Sequence, residues 1–167
     1  MSLHRCLFGF EADFAGDLRC LPMAVRRKLD LGGIKLKLVH WHALDEHERH
    51  QLLAWPDDAD AVGRLRQWLL ERSAALPAGP ASTLPPAVAA DWQQPDALPE
   101  VLQAACRQLG HPLNLAQWRA LNELQRFALV KLSHPGHEHR NLPRALVEFG
   151  LVRDDFVAKA TTPPPLA

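Results

Sequence analysis

Three histidines and a glutamate crowd the segment His134-Pro135-Gly136-His137-Glu138-His139. Imidazole nitrogens beside a carboxylate are the donors that zinc or another borderline divalent metal takes. The spacing argues the other way. Helical ligand pairs sit at i and i+4, Pro135 and Gly136 break a local helix, and no cysteine pair stands opposite. His47 and His50, one helical turn apart, could complete such a site from elsewhere in the chain. The favoured reading is a solvated polar turn between two helices. A divalent metal held by His134, His137 and His139 stays as the alternative.

Other residue types carry chemistry in principle. Arg49 and Arg126 recur in similar surroundings, and a guanidinium fork can clamp a phosphate or carboxylate. The favoured alternative is an ion pair with Glu46 or Glu123, one turn earlier on the same face. Trp41 and Trp118 could stack on a ligand. They sit in amphipathic patterns with leucines three residues to either side (Leu38 and Leu44, Leu115 and Leu121), so core anchors are expected. Cys20 and Cys106 could act as nucleophiles only beside a base, and Cys106 reads as a small core residue. Arg26-Arg27-Lys28 with Lys35 and Lys37 forms a basic patch, and Asp57, Asp58 and Asp60 an acidic one. Such runs are solvated helix faces or surfaces that steer a protein partner. No glycine-rich phosphate loop, GxSxG or HExxH is present, so an enzyme is not expected.

Composition narrows the classes further. The chain has 167 residues, with 19 basic and 19 acidic side chains that cancel. No global field draws it to nucleic acid or an anionic membrane, and neither partner is expected. Three cysteines, far apart and without a CxxC pair, fit a reducing compartment. The first residues lack an apolar signal core, and no stretch approaches the length of a bilayer span. A cytoplasmic location is expected.

The elements that must position these residues are punctuated by proline and glycine. Residues 22–76 are helical in pattern. Residues 77–99 hold Pro77, Pro80, Pro85, Pro86, Pro95 and Pro99 and read as an extended connector. Residues 99–151 are helical again, and 157–167 read as a frayed tail. The helical parts align at an offset of 77. Leu36 to Leu52 and Leu113 to Leu129 share eight of 17 positions, including Trp41/Trp118 and Arg49/Arg126. Pro22/Pro99 and Gly33/Gly110 align at the same offset. Asp45 with Glu48, and Asn122 with Gln125, predict capping boxes that start a helix just after a leucine that ends one. Pro22 to Leu31 and Pro99 to Leu109 predict helices closed by glycine. Asp57 or Asp58 predicts the start of a helix to about Leu76, and Asn141 that of a helix through Pro143 to Phe149. The expected fold is all-α: two pseudo-equivalent multi-helix halves in one domain spanning 1–156, joined by the proline-rich connector. Only Cys6 to Phe10 hints at a strand.

Several blocks resemble the nitrate-reductase-associated protein family. They are Phe10-Glu11-Ala12-Asp13-Phe14, Leu18 to Arg26, Lys28-Leu29-Asp30, Gly33 to Leu38, Leu124 to Ser133, Pro135 to Glu138 and Ala145 to Leu151. The resemblance runs from Phe8 to Leu151. It departs at His134 and His139, where the family pattern leads one to expect arginine and asparagine. The resemblance implies an accessory role in maturation or assembly of active assimilatory nitrate reductase, exercised by protein binding. The implied partner is the reductase or its cofactor-insertion machinery. It implies no catalytic residues, and the only cofactor left open is the divalent metal of the histidine cluster. The partner surface expected here comprises Arg26, Lys35, Lys37, Arg126 and the turn Pro135, Gly136, His137 and Glu138, and a homodimer is left open.

Overall fold

Helix boundaries in this chain follow from capping chemistry at named residues, and a computed structural model describing residues 6–134 and 141–153 shows how. The order is α1 (Ala12–Ala15), α2 (Met23–Gly32), β1 (Ile34–Lys35), α3 (Leu38–Ala43), α4 (Glu46–Ala54), α5 (Ala59–Ala74), β2 (Ser82–Thr83), α6 (Glu100–Gln108), α7 (Leu115–Ala120), α8 (Glu123–Ser133) and α9 (Leu142–Glu148). Short 3₁₀ turns occupy Gly9–Glu11 and Asp91–Gln93. The protein is thus mostly helical. Two compact units form, Met1–Val88 and Ala89–Ala167, and the division falls inside the proline-rich segment.

In the first unit, Asp45 and Glu48 form the expected capping box. The Asp45 carboxylate accepts from Glu48 N at 2.8 Å, and Glu48 Oε2 accepts from Asp45 N at 2.9 Å. Leu44 is extended between α3 and α4, so one helix ends and the next begins within two residues. Asp58, rather than Asp57, caps α5 by accepting from Ala61 N. Along α5 the buried residues Ala61, Val62, Leu65, Leu69 and Ser73 lie on one face. That face packs on α2, which also meets α4 and β1. The core gathers Val25, Leu29, Trp41, Leu52, Leu65 and Leu69.

The hint of a strand at Cys6 to Phe10 is corrected. The segment turns into the 3₁₀ turn and α1 because the Glu11 carboxylate accepts from Phe8 N and from Met23 N, each at 3.0 Å. Glu11 is fully buried and serves the N-terminus of α2, where backbone donors lack helical partners. The strands lie elsewhere. Ile34 pairs with Thr83 and Lys35 with Ser82 in an antiparallel ribbon.

The proline-rich segment is also more than a spacer. Leu84 N donates to Gly33 O at 2.8 Å, and Ala87 N to Asp30 O at 2.9 Å. These bonds, with Arg66 Nη1 on Gly32 O, satisfy the open carbonyls at the end of α2. Gly33 has φ +69°, and a Cβ there would lie 2.3 Å from Leu84 O. Only glycine fits both demands.

In the second unit α8 is central. It packs against α6, α9 and the Asp91–Gln93 turn. Trp92 from that turn is buried and meets Phe127 edge-on at 5.1 Å. Asn122 and Gln125 cap α8 reciprocally, and Asn114 and Gln117 cap α7 in the same way. Asn141 precedes α9 but receives Arg144 Nη1 on its side chain in place of a backbone donor. Among the described residues, no helix is long and apolar enough to cross a membrane.

Candidate functional site

Both tryptophans are fully buried. Trp41 Nε1 donates to Leu18 O at 2.7 Å, and Trp118 Nε1 to Gln94 O at 2.8 Å. They are core anchors with satisfied indoles, as the leucine spacing predicts, and neither offers a stacking platform. Leu18 reaches its position in a left-handed conformation, φ 60°, that a leucine seldom adopts.

At Arg49 backbone hydrogen bonds take the place of the expected pair with Glu46, and at Arg126 they stand beside an electrostatic interaction with Glu123. Arg49 donates through Nε to Trp41 O and through Nη2 to His42 O, each at 3.1 Å. Arg126 donates to Leu121 O and Trp92 O, and its guanidinium lies 5.9 Å from the Trp118 ring centroid. A helix that stops at a leucine leaves carbonyls such as His42 O and Leu121 O for the guanidinium one turn into the next helix. Arg49 shares Trp41 O with Leu44 N, and Arg126 also reaches Trp92 O in the Asp91–Gln93 turn. Burial pulls the Arg126 pKa below the usual arginine value, an effect the nearby Glu123 carboxylate opposes. Arg126 is therefore turned inward, which corrects its place on the expected partner surface.

The Arg26-Arg27-Lys28 patch dissolves as well. Arg26 is half-buried with Nε on Leu21 O. Arg27 is buried against Asp57 at 2.8 Å. Lys28 is fully buried, and its Nζ donates to Leu52 O, Leu53 O and Trp55 O at 2.7, 2.8 and 3.0 Å. An ammonium at the end of α4 meets the negative pole of that helix, which offsets part of its desolvation. Lys28 sits one turn after the buried Val25, and that position is the only sequence signal for its burial.

Lys35 and Lys37 remain exposed. Immediately after them, α3 presents Leu38 and Val39 to solvent and buries His40 instead. Leu38 flanks Trp41 at helical spacing yet faces solvent, and the His40 ring explains why. His40 Nδ1 accepts from Lys37 N at 3.1 Å, capping α3 from inside. That fixes the tautomer: Nε2 carries the proton and donates to Gly79 O at 2.9 Å. With His40 and Trp41 turned inward, the first turn of α3 must face outward. The aligned Asn114–Gln117 box held the clue, because it places His40 at the capping position and Leu38 at the start of the helix.

Cys106 is buried, which pushes its thiol up to about 11 and argues against a reactive thiolate at neutral pH. His134 is exposed just beyond α8. Pro135, Gly136, His137, Glu138 and His139 lie outside the described residues. Among the described residues, no group of three or more histidine, cysteine, aspartate or glutamate side chains is gathered for a metal ion.

In the second unit a cleft of about 340 Å³ is lined by Asp91, Gln94, Leu98, Pro99, Glu100 and Val101. Glu100 is paired with Arg107 at 2.7 Å, and both are exposed. The cleft gathers no buried polar group that would fix a ligand.

Comparison with curated proteins and with solved structures finds no match in either. Residues 7–149 match the family described as conserved nitrate reductase-associated protein, and the chain belongs to that family.

Proposed function

We propose that the chain is an accessory protein that binds nitrate reductase or its cofactor-insertion machinery while active reductase is assembled. The reading rests on the family match across residues 7–149, which takes in both helical units. The exposed face of the first unit, with Lys35 and Lys37 beside solvent-facing Leu38 and Val39, supports a role exercised through binding. The segment Pro135 to Glu138 is the second element of the proposed surface. Catalysis is assigned to no residue.

The test is deletion in cells grown on nitrate. Reductase activity should fall while the amount of reductase polypeptide is unchanged, and the chain should co-purify with apo-reductase or with the proteins that load it. Full reductase activity in the deletion strain, with no co-purification, overturns the proposal.

A further inference from the structure

The first unit carries an apolar surface with only cationic neighbours along its own two chain segments. Six large apolar side chains are exposed among the described residues, and four of them lie in residues 34–43 and 75–88. They are Leu38 at 48%, Val39 at 54%, Leu84 at 48% and Val88 at 84%. The β1–β2 pairing, Leu84 N on Gly33 O, and His40 Nε2 on Gly79 O hold the two segments side by side. Residues 31–44 contain no aspartate or glutamate, and residues 73–90 contain no charged side chain. Lys35 and Lys37 are thus the exposed ammonium groups of this surface, and among the described residues neither has an ion-pair partner.

The aligned stretch of the second unit shows that this surface is no requirement of the helix start. There Pro112 and Asn114 stand at the positions of Lys35 and Lys37, and Ala116 at that of Val39. The α7 start is capped as well as that of α3, without lysines and without an exposed valine.

We infer that the surface formed by Lys35, Lys37, Leu38 and Val39 takes a protein segment in which aliphatic side chains are flanked by aspartate or glutamate. The apolar pair supplies area to remove from water. The two ammonium groups select carboxylates and repel a basic segment. Two lysines and a six-residue helix are a poor lipid anchor, which favours a protein partner over an anionic membrane. The inference deepens the proposed binding role but does not need nitrate reductase itself to be the partner.

The test is selection by the full-length chain from a random dodecapeptide library displayed on phage, which presupposes no partner. Enriched peptides should carry aliphatic residues with an excess of aspartate and glutamate. Their affinity should fall at least tenfold for Lys35→Glu/Lys37→Glu, and at least tenfold for Leu38→Ser/Val39→Ser. All four side chains are exposed, so the helical circular dichroism of both variants should match the parent, and Lys35→Gln/Lys37→Gln gives a milder check. No enrichment, or enriched peptides that bind both variants as tightly as the parent, overturns the inference. So does binding to phosphatidylglycerol vesicles that the same substitutions abolish, or self-association of the chain that they abolish. If peptides behave as expected while the reductase does not bind, the surface stands and the reductase assignment fails. If the reductase binds both variants undiminished, the assignment stands and this surface fails.

Discussion

The segments Leu36 to Leu52 and Leu113 to Leu129 build the same helix–leucine–helix junction and use it differently. In each, a buried tryptophan on the first helix donates its indole N–H to a carbonyl outside the helix, and a capping pair starts the second. In each, an arginine one turn into the second helix serves backbone carbonyls. The divergence lies around that frame. The first unit puts exposed Lys37 and Val39 where the second has Asn114 and Ala116, and a strap over Gly33 where Gly110 has open space. The second unit places Phe127 against Trp92, where the first has exposed His50. Residues that close the junction are held in common, and those around it differ, outward at Lys37 and Val39 and in the core at Phe127.

The largest effects should come from the shared frame. Trp41→Ala and Trp118→Ala should each cost about 3–5 kcal/mol, as expected for emptying a fully buried tryptophan site. Denaturant unfolding of the two variants checks this. Similar losses support equal junctions, and a loss in one unit alone breaks the comparison.

The glycines should separate the units. Both sit at positive φ, +69° at Gly33 and +78° at Gly110, so alanine costs about 1–2 kcal/mol at either from backbone strain. At Gly33 the added Cβ also meets Leu84 O, and the displaced strap should add about 1–3 kcal/mol. Thermal melts should therefore show Gly33→Ala well below Gly110→Ala.

A smaller difference should appear on acidification. The Arg72 guanidinium, by hydrogen bonding, and then the Asp45 N–H hold the Glu48 carboxyl below its usual range, against the effect of burial. A carboxyl lowered in the folded state stabilises above its unfolded pKa, about 4.3, and loses that contribution as pH falls through its folded value. The aligned residue in the second unit is Gln125, which does not titrate. Glu48→Gln should thus flatten the stability curve below about pH 4.3, while Gln125→Ala leaves its slope unchanged.

The smallest effect concerns reactivity. At pH 8 iodoacetamide should label half-buried Cys20 well before Cys106, whose burial holds the thiol up to about 11. Peptide mapping over time checks the order.

What the sequence revealed of this arrangement follows from the range of the interactions. Asp45, Asn122, Gly33 and Gly110 act on backbone within a few residues, so the helix ends were legible. The two tryptophans were legible as core because leucines flank them at helical spacing. The burial of Lys28 was not, since its carbonyl partners come from Leu52, Leu53 and Trp55, more than 20 residues away. The strap formed by Ser82 to Ala87 was hidden for the same reason: prolines mark the absence of helix but do not say what an extended segment covers. Exposure of Leu38 and Val39 escaped the periodicity because a histidine took the inward position. Arg126 stands out in the sequence because it recurs with Arg49, but recurrence does not say which way it turns, and it is held inside by carbonyls of Leu121 and Trp92.

The most direct measurement is nitrate reductase activity in cells whose own copy is replaced by Lys35→Glu/Lys37→Glu/Leu38→Ser/Val39→Ser, beside a strain carrying Asn114→Glu/Ala116→Ser. With both chains present at normal levels, the first strain should lose most of its reductase activity without losing reductase polypeptide, and the second should keep it. Equal activity in the two strains would contradict the assignment of partner binding to the first unit.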